Sequence, residues 1–253
     1  MKNLMSACPK ELVEVIYRAY PDYWPLTQEQ ICYYLLREGK ASEVAPMGLQ
    51  DEIGNSFPYN MYLRTFLNPG LEGPPFLTGD RGMKYYTAPN FSVRHGENKY
   101  IELWVDDEAL VEFLRIHSKK LMGIPVYEAG SFHFTIPAQE AKDRFVRMEK
   151  TKGISSVVLY LADLDAAGHR RYDMLTDLFA AWVDFDRVGI NVEHTPGLLC
   201  KPTFLCDDEE LREDRFFSKE LSLPGCYSLS ALEPPKLIEM VRGAVKRYQG
   251  AIT

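Results

Sequence analysis

The chain has 253 residues, 46% hydrophobic and 26% charged, with a net charge of −7. That composition describes a globular protein with a sizeable core, short for two full-sized domains. It argues against a disulfide-stapled miniature and against a protein held on nucleic acid by a general positive field, without excluding DNA, which a local groove or bound divalent cations can recruit. No stretch approaches the ~18 consecutive apolar residues of a membrane span, and residues 1–25 lack the basic start and apolar run of a signal peptide. A soluble, cytoplasmic protein is expected. Cys8, Cys32, Cys200, Cys206 and Cys226 form no Cys-x-x-Cys. With His194 they match no common zinc spacing, so they read as free thiols.

In chain order, Leu12, Val15, Ile16 and Ala19 have helical spacing and predict a helix from Pro9 to Tyr20, ended by Pro21. Thr27 with Gln30 is a capping-box signature for a helix to about Arg37, with Gly39 as its stop. A third helix is expected over Tyr59–Leu67. Two short strands, 76–78 and 83–86, then flank the turn Gly79-Asp80-Arg81-Gly82. That turn lacks the Gly-Lys-Ser/Thr ending of a phosphate loop and precedes a strand, so a hairpin is the better reading. Three helices and a hairpin suggest a winged helix, although any small helical domain with a hairpin fits the same pattern.

Beyond Gly96 the pattern alternates strand and helix, which predicts a parallel sheet with helices on its faces. The expected elements are a strand over Tyr100–Val105, a helix over Glu108–Leu121 and a strand over Ile124–Tyr127. A helix entered near Thr135-Ile136-Pro137 and reaching about Lys150 follows. Val157–Leu161 is apolar on both faces, as a central parallel strand is. A helix over His169–Trp182, a strand near Arg187–Val192 and a helix over Pro235–Tyr248 complete the series. Residues 195–232 read as mostly loop, with a charged run at 207–215 whose simplest reading is a solvated surface segment. The fold class is therefore α/β: a winged-helix-like unit over 1–97 followed by a Rossmann-like, mostly parallel-sheet domain over 98–253.

In such sheets ligands bind beyond the carboxyl ends of the strands. Asp106-Asp107-Glu108 ends the first strand, and Asp163-Leu164-Asp165 ends the third. Three carboxylates held together call for a cation, and oxygen-only ligands favour Mg²⁺ or Mn²⁺. Phosphoryl transfer is the reaction class that follows. An aspartate after a strand is equally a helix cap. His133, His169 and His194 are isolated and read as surface or packed side chains.

The stretch Ile101–Leu110, then Ile124-Pro125-Val126 with Gly130-Ser131-Phe132, then Leu159–Asp165 with Gly168, resembles the Toprim domain of topoisomerase VI A-subunit-like proteins, closest to bacterial and phage-encoded members. Glu213-Asp214-Arg215 and Gly225–Pro235 are similar to that group's closing motifs. Leu26–Leu35 resembles the winged-helix motif that carries a DNA-cleaving tyrosine in topoisomerase VI and in the meiotic double-strand-break protein. The resemblance implies that Asp106, Asp163 and Asp165 hold Mg²⁺ (or Mn²⁺). It places the tyrosine nucleophile on Tyr33, beside Tyr34, and implies a homodimer in which one protomer's tyrosine meets the other's Toprim site. The family's company also implies a phage, mobile-element or defence setting.

Three departures bear on activity. Asp106-Asp107 stands where Glu-Lys is usual, Glu29 where the tyrosine motif has an arginine, and Ser228 and Ser230 where acidic residues are expected. Nine of fifteen tyrosines precede residue 99, so Tyr33 also reads as one packed aromatic among many. On a helical wheel it lies away from Ile31 and Leu35, which favours exposure. Arg64, Arg81 and Lys84 are the candidate contacts to duplex DNA, in a region with nine Lys+Arg against eleven Asp+Glu over residues 1–98. The leading expectation is a Mg²⁺-dependent DNA nuclease or phosphoryl-transfer protein. Its rival is a catalytically inactive Toprim-like adaptor of a larger DNA-processing or phage-defence complex, and a primase-like activity is the weaker third.

Overall fold

The computed structural model describes residues 15–24, 26–38, 99–130, 135–201 and 208–249. The expected third helix and hairpin, with Arg64, Arg81 and Lys84, lie outside the described residues, as do Cys8, Cys206 and His133.

Four parallel strands, β1 (Lys99–Val105), β2 (Val126–Glu128), β3 (Ser155–Leu161) and β4 (Asp184–Arg187), form one sheet in the order β2-β1-β3-β4. β1 pairs with β3 along its whole length, Lys99 opposite Ser155 through Val105 opposite Leu161. Both strands are buried on both faces, as central strands covered by helices must be. The helices are α1 (Gln28–Arg37), α2 (Glu108–Ile116), α3 (Thr135–Lys152), α4 (Ala166–Phe179), α5 (Asp208–Glu220) and α6 (Pro234–Gln249). Among the described residues no helix is long and apolar enough to cross a membrane.

Period-two alternation divides the core. Ile101, Leu103, Val105, Leu159 and Leu161 face Phe113 and Leu114 of α2, Leu237, Val241 and Val245 of α6, and Ile31 and Leu35 of α1. Trp104, Val158 and Tyr160 face Ala141 and Phe145 of α3 and Leu175 and Phe179 of α4. Helix α1, from the region read as a separate unit over 1–97, therefore shares the core of the sheet. Its capping box forms as expected: the Gln30 backbone N–H donates to Thr27 Oγ1 at 3.1 Å, and the Thr27 N–H to Gln30 Oε1 at 2.9 Å.

Four local expectations need correction. The 108–121 helix ends at Ile116, and Ser118–Leu121 is a 3₁₀ turn closed by Met122 in the left-handed region. Helix α4 starts three residues early because Asp165 caps it through the Gly168 N–H at 2.7 Å. β4 ends at Arg187 instead of running to Val192. Residues 208–215 of the charged run, read as loop, belong to helix α5. It is tied to α4 by the Arg170–Glu213 ion pair at 2.7 Å and by Asp214, which accepts the Ala166 N–H at 3.2 Å.

Candidate functional site

In the order β2-β1-β3-β4 the chain leaves β1 toward one edge and β3 toward the other. The crevice between the carboxyl ends of β1 and β3 is therefore the topological switch point, where parallel sheets bind ligands. Asp106 and Asp107 end β1; Asp163 and Asp165 follow β3. The bridge between Leu164 and Tyr227 and the turn at Leu229–Ala231 bring the C-terminal motif to the same place. Helix α1 packs on that turn, Glu29 facing Ser228 and Ser230 and Arg37 donating to the Ala231 carbonyl at 3.3 Å.

Adjacent residues at the end of β1 face opposite ways. Asp106 pairs with Arg171 of α4, and Glu128 at the end of β2 lies beside the same pair. Burial raises the Glu128 carboxyl, with Arg171 lowering it and Asp106 adding to the rise. Asp107 is the N-cap of α2, accepting the Leu110 N–H at 2.9 Å, and faces Glu29 and Lys201. The capping role is thus real for both Asp107 and Asp165.

A second group surrounds Lys201. Asp165 Oδ1 accepts the Gly168 N–H, while its Oδ2 lies 3.3 Å from the Lys201 ammonium. Asp163 Oδ1 accepts the Leu229 N–H at 2.8 Å, and its carbonyl accepts from Arg187 at 2.6 Å. Burial pushes the Asp163 carboxyl well above the usual aspartate range, and the like charges of Asp165 and Glu29 push it further. The Glu29 carboxyl is pushed up to about 7 by burial and by Asp107, against the hydroxyls of Ser228 and Ser230 and the charge of Lys201. Asp107 is raised by burial, partly offset by the N–H groups at the start of α2.

A carboxyl whose folded-state pKa is raised binds its proton more tightly when folded. It costs stability above that pKa and costs none below the ordinary aspartate value. Asp163→Asn keeps an oxygen for the Leu229 N–H and removes the charge. We expect a higher Tm at neutral pH, on the order of 1 kcal/mol of added stability. Thermal melts across pH should show the gain fading as the pH falls toward about 4. A variant less stable than the parent at pH 7 would contradict the reading of Asp163 as an under-neutralised carboxyl.

The three aspartates drawn from the sequence are therefore divided: Asp163 and Asp165 adjoin, and Asp106 turns to Arg171. Their donor chemistry suits Mg²⁺ or Mn²⁺. Among the described residues, however, no three carboxylate, imidazole or thiol groups converge to hold a metal ion. The three-aspartate set does not fit the cation as these side chains stand, because Arg171 and Lys201 already engage two of its members. Tyr33, expected to be exposed, is fully buried, with Ile31, Cys32, Tyr34 and Leu35 buried around it. A wheel supposes one dry face, and this part of α1 is enclosed on more than one. Tyr34 is buried edge-on to Tyr20.

Sequence reasoning did not name Glu29, Asp107, Glu128, Arg171 or Lys201 as site residues. Glu29, and Ser228 with Ser230, did carry a signal, as two of the three departures from the family's motifs. In space they are neighbours: the reversed charge at 29 faces the two serines that stand where acids are expected. Cys32, Cys200 and Cys226 are free thiols, as expected. His194 is exposed, its Nδ1 accepting the Asn191 N–H, and His169 packs on Phe217. No family model, no curated protein and no solved structure matches the chain.

Proposed function

We propose that the chain is a DNA-directed, Toprim-like protein of the topoisomerase VI A-subunit kind, with a winged-helix-like N-terminal part, acting as a binding or adaptor module without tyrosine-dependent strand cleavage. Support for the Toprim-like part comes from the acidic motifs of the resemblance lying at the switch point of a parallel sheet. The observation that carries the non-cleaving part is the state of the chemical groups themselves. Tyr33 is sealed in the core, and Arg171 and Lys201 are engaged with Asp106 and Asp165. A tyrosine nucleophile must reach a phosphate, and a buried hydroxyl cannot do so without moving α1.

A second reading, a Mg²⁺- or Mn²⁺-dependent nuclease, is favoured by one feature. Asp165 lies 3.3 Å from Lys201, and Glu29, Asp107 and Asp163 feel both that charge and one another's or a neighbouring aspartate's, so an added cation would relieve the repulsion among them.

The two are separated by incubating the protein with supercoiled plasmid in Mg²⁺ or Mn²⁺, beside Asp163→Ala/Asp165→Ala and Tyr33→Phe variants. The expected result is no nicking by any of the three above a buffer control. Nicking by the parent that the double substitution abolishes would establish the nuclease reading in its place. Loss in Tyr33→Phe as well would mark covalent cleavage.

A further inference from the structure

The carboxyl end of β4 holds a guanidinium whose hydrogen bonds are incomplete. A guanidinium carries five N–H groups; those of Arg187, the last residue of β4, make three bonds. Nη1 donates to the Ile190 carbonyl at 3.0 Å and to Asn191 Oδ1 at 2.9 Å, and Nη2 donates to the Asp163 carbonyl at 2.6 Å. All of these acceptors are uncharged oxygens. The Nε–H is buried and has no acceptor, and one Nη2 hydrogen is left beside it. Those two neighbouring nitrogens are an edge with which a guanidinium takes an oxyanion side-on.

Among the described residues no acid fills that edge: Arg187 forms no ion pair, unlike Arg144, Arg171 and Lys201. The acids whose charge it feels are engaged elsewhere. The Asp163 carboxyl accepts the Leu229 N–H, and the Asp165 carboxyl is shared between the Gly168 N–H and Lys201. Burial lowers the guanidinium's pKa, and Tyr160, Asp165 and Asp163 offset this only in part. A second unsatisfied group faces it. His169, in the first turn of α4, packs on Phe217 of α5 with ring centres 4.8 Å apart, and its Nε2 is buried without a partner. Burial and then the charge of Arg187 hold this imidazole below its ordinary pKa, against Asp173 and Asp165, so at neutral pH it is uncharged and in its Nε2–H tautomer offers one donor. Both side chains are half-buried, so each keeps an edge on solvent.

We infer that Arg187 and His169 hold a phosphate group, free or as the monoester of a small molecule, beyond the end of β4, on the side of the sheet where parallel folds bind ligands. The site owes nothing to the DNA-directed reading. The guanidinium edge takes two oxygens and the imidazole a third. A carboxylate has two oxygens, both spent on that edge, whereas a phosphate has another to offer His169. Water is the other common partner of buried donors, but it brings no counter-charge to a guanidinium that has no acid of its own.

The test is heteronuclear NMR of the ¹⁵N-labelled full chain at neutral pH, reading the Arg187 Nε–H and the His169 ring nitrogens. Inorganic phosphate should shift both signals saturably, while sodium chloride at the same ionic strength leaves them in place. His169→Phe, which keeps a ring against Phe217, should bind phosphate at least ~3-fold more weakly by the Arg187 signal. Arg187→Lys, which keeps the charge and loses the edge, should bind it at least ~10-fold more weakly by the His169 signal. Should Arg187→Lys fail to melt like the parent, His169→Phe decides alone. An equal response to chloride, or phosphate binding unchanged in His169→Phe, overturns the assignment. No response to phosphate overturns it too and leaves a buried water as the partner. Acetate bound as tightly as phosphate overturns the phosphate in favour of a carboxylate. Displacement of phosphate by a DNA duplex without terminal phosphates overturns the small ligand in favour of the DNA backbone, whereas a duplex that leaves the bound phosphate in place supports it.

Discussion

Glu102→Ala should unfold at a much lower urea concentration than the parent, with a loss of about 3–5 kcal/mol. Glu102 lies in the middle of β1 with no exposed surface, on the face shared with α3 and α4. Its Oε1 accepts from Tyr100 at 2.9 Å and Arg144 Nε at 2.7 Å; its Oε2 accepts from the Trp104 indole at 2.8 Å and the second Arg144 nitrogen at 3.1 Å. Arg144 in turn stacks 4.3 Å from the Tyr127 ring centre. The carboxylate is thus fully satisfied, and burial with its neighbouring charge drives the Tyr100 hydroxyl upward in pKa, keeping it a donor. Removing Glu102 strands two ring donors in a dry interior, where each unpaired group is costly, and leaves the half-buried guanidinium without its carboxylate. Glu102→Leu/Arg144→Met should recover only the part of the loss that comes from the uncompensated guanidinium, since the Tyr100 and Trp104 donors still lack their acceptor. Urea midpoints at constant m-value check both statements. A single variant within about 1 kcal/mol of the parent would show the network to be no stronger than a surface pair.

The other large effect is expected from one added methyl group. A Cβ on Gly189 would lie 2.0 Å from the Ala162 carbonyl oxygen and 3.0 Å from its carbon and nitrogen. All three are backbone atoms at the end of β3, which cannot swing aside like a side-chain tip. Gly189→Ala must therefore push apart two segments already joined by the Val188 N–H to the Tyr160 carbonyl at 2.8 Å and by Arg187 to the Asp163 carbonyl. Overpacking into a fitted interior costs about 1–3 kcal/mol, and a backbone-to-backbone clash belongs at or above the top of that range. Because Ala162 precedes Asp163, the displacement also reaches the cleft. A lowered Tm with altered resonances at Asp163 and Leu229 is the expected result. A stable variant with unmoved cleft resonances would refute the tight approach.

The parts of the fold that were legible in the sequence are those in which one residue type answers one demand. Val157–Leu161 reads as a central strand because both of its faces are covered. Thr27 and Gln30 read as a cap because the helix start has orphan N–H groups for them to satisfy. β4 was misplaced because its residues, Asp184-Phe185-Asp186-Arg187, offer one apolar side chain. Val188 and Ile190 beyond it look more strand-like, yet past the Val188 N–H bond to Tyr160 the chain leaves the sheet, with Gly189 wedged against Ala162. Helix α5 was hidden because its surface is almost all charged and Phe216 is 68% exposed, so no apolar stripe marks it.

For the site, the strand-end aspartates were visible from position alone. Their partners were not. Glu29, Arg171 and Lys201 come from three distant parts of the chain, and which carboxylate each one faces is decided by packing that no local pattern encodes. The opposite orientations of Asp106 and Asp107 follow from a change of side at the end of β1, a single-residue event. Tyr33 failed as an exposed residue because the wheel knew nothing of what covers α1.

The meeting of α1 with the turn at 229–231 has a consequence for the order in which the molecule is built. Arg37 donates to the Ala231 carbonyl across 194 positions of sequence, and Glu29 lies against Ser228 and Ser230. Closing so long a loop is entropically costly and is reached only after nearer contacts are made. A ribosome-bound chain can pair β1 with β3 well before residue 229 has emerged, but it then lacks the turn that Glu29 and Arg37 contact and the Leu229 N–H that Asp163 accepts. The acidic centre is consequently a late event in synthesis, completed when the beginning and the end of the described fold come together.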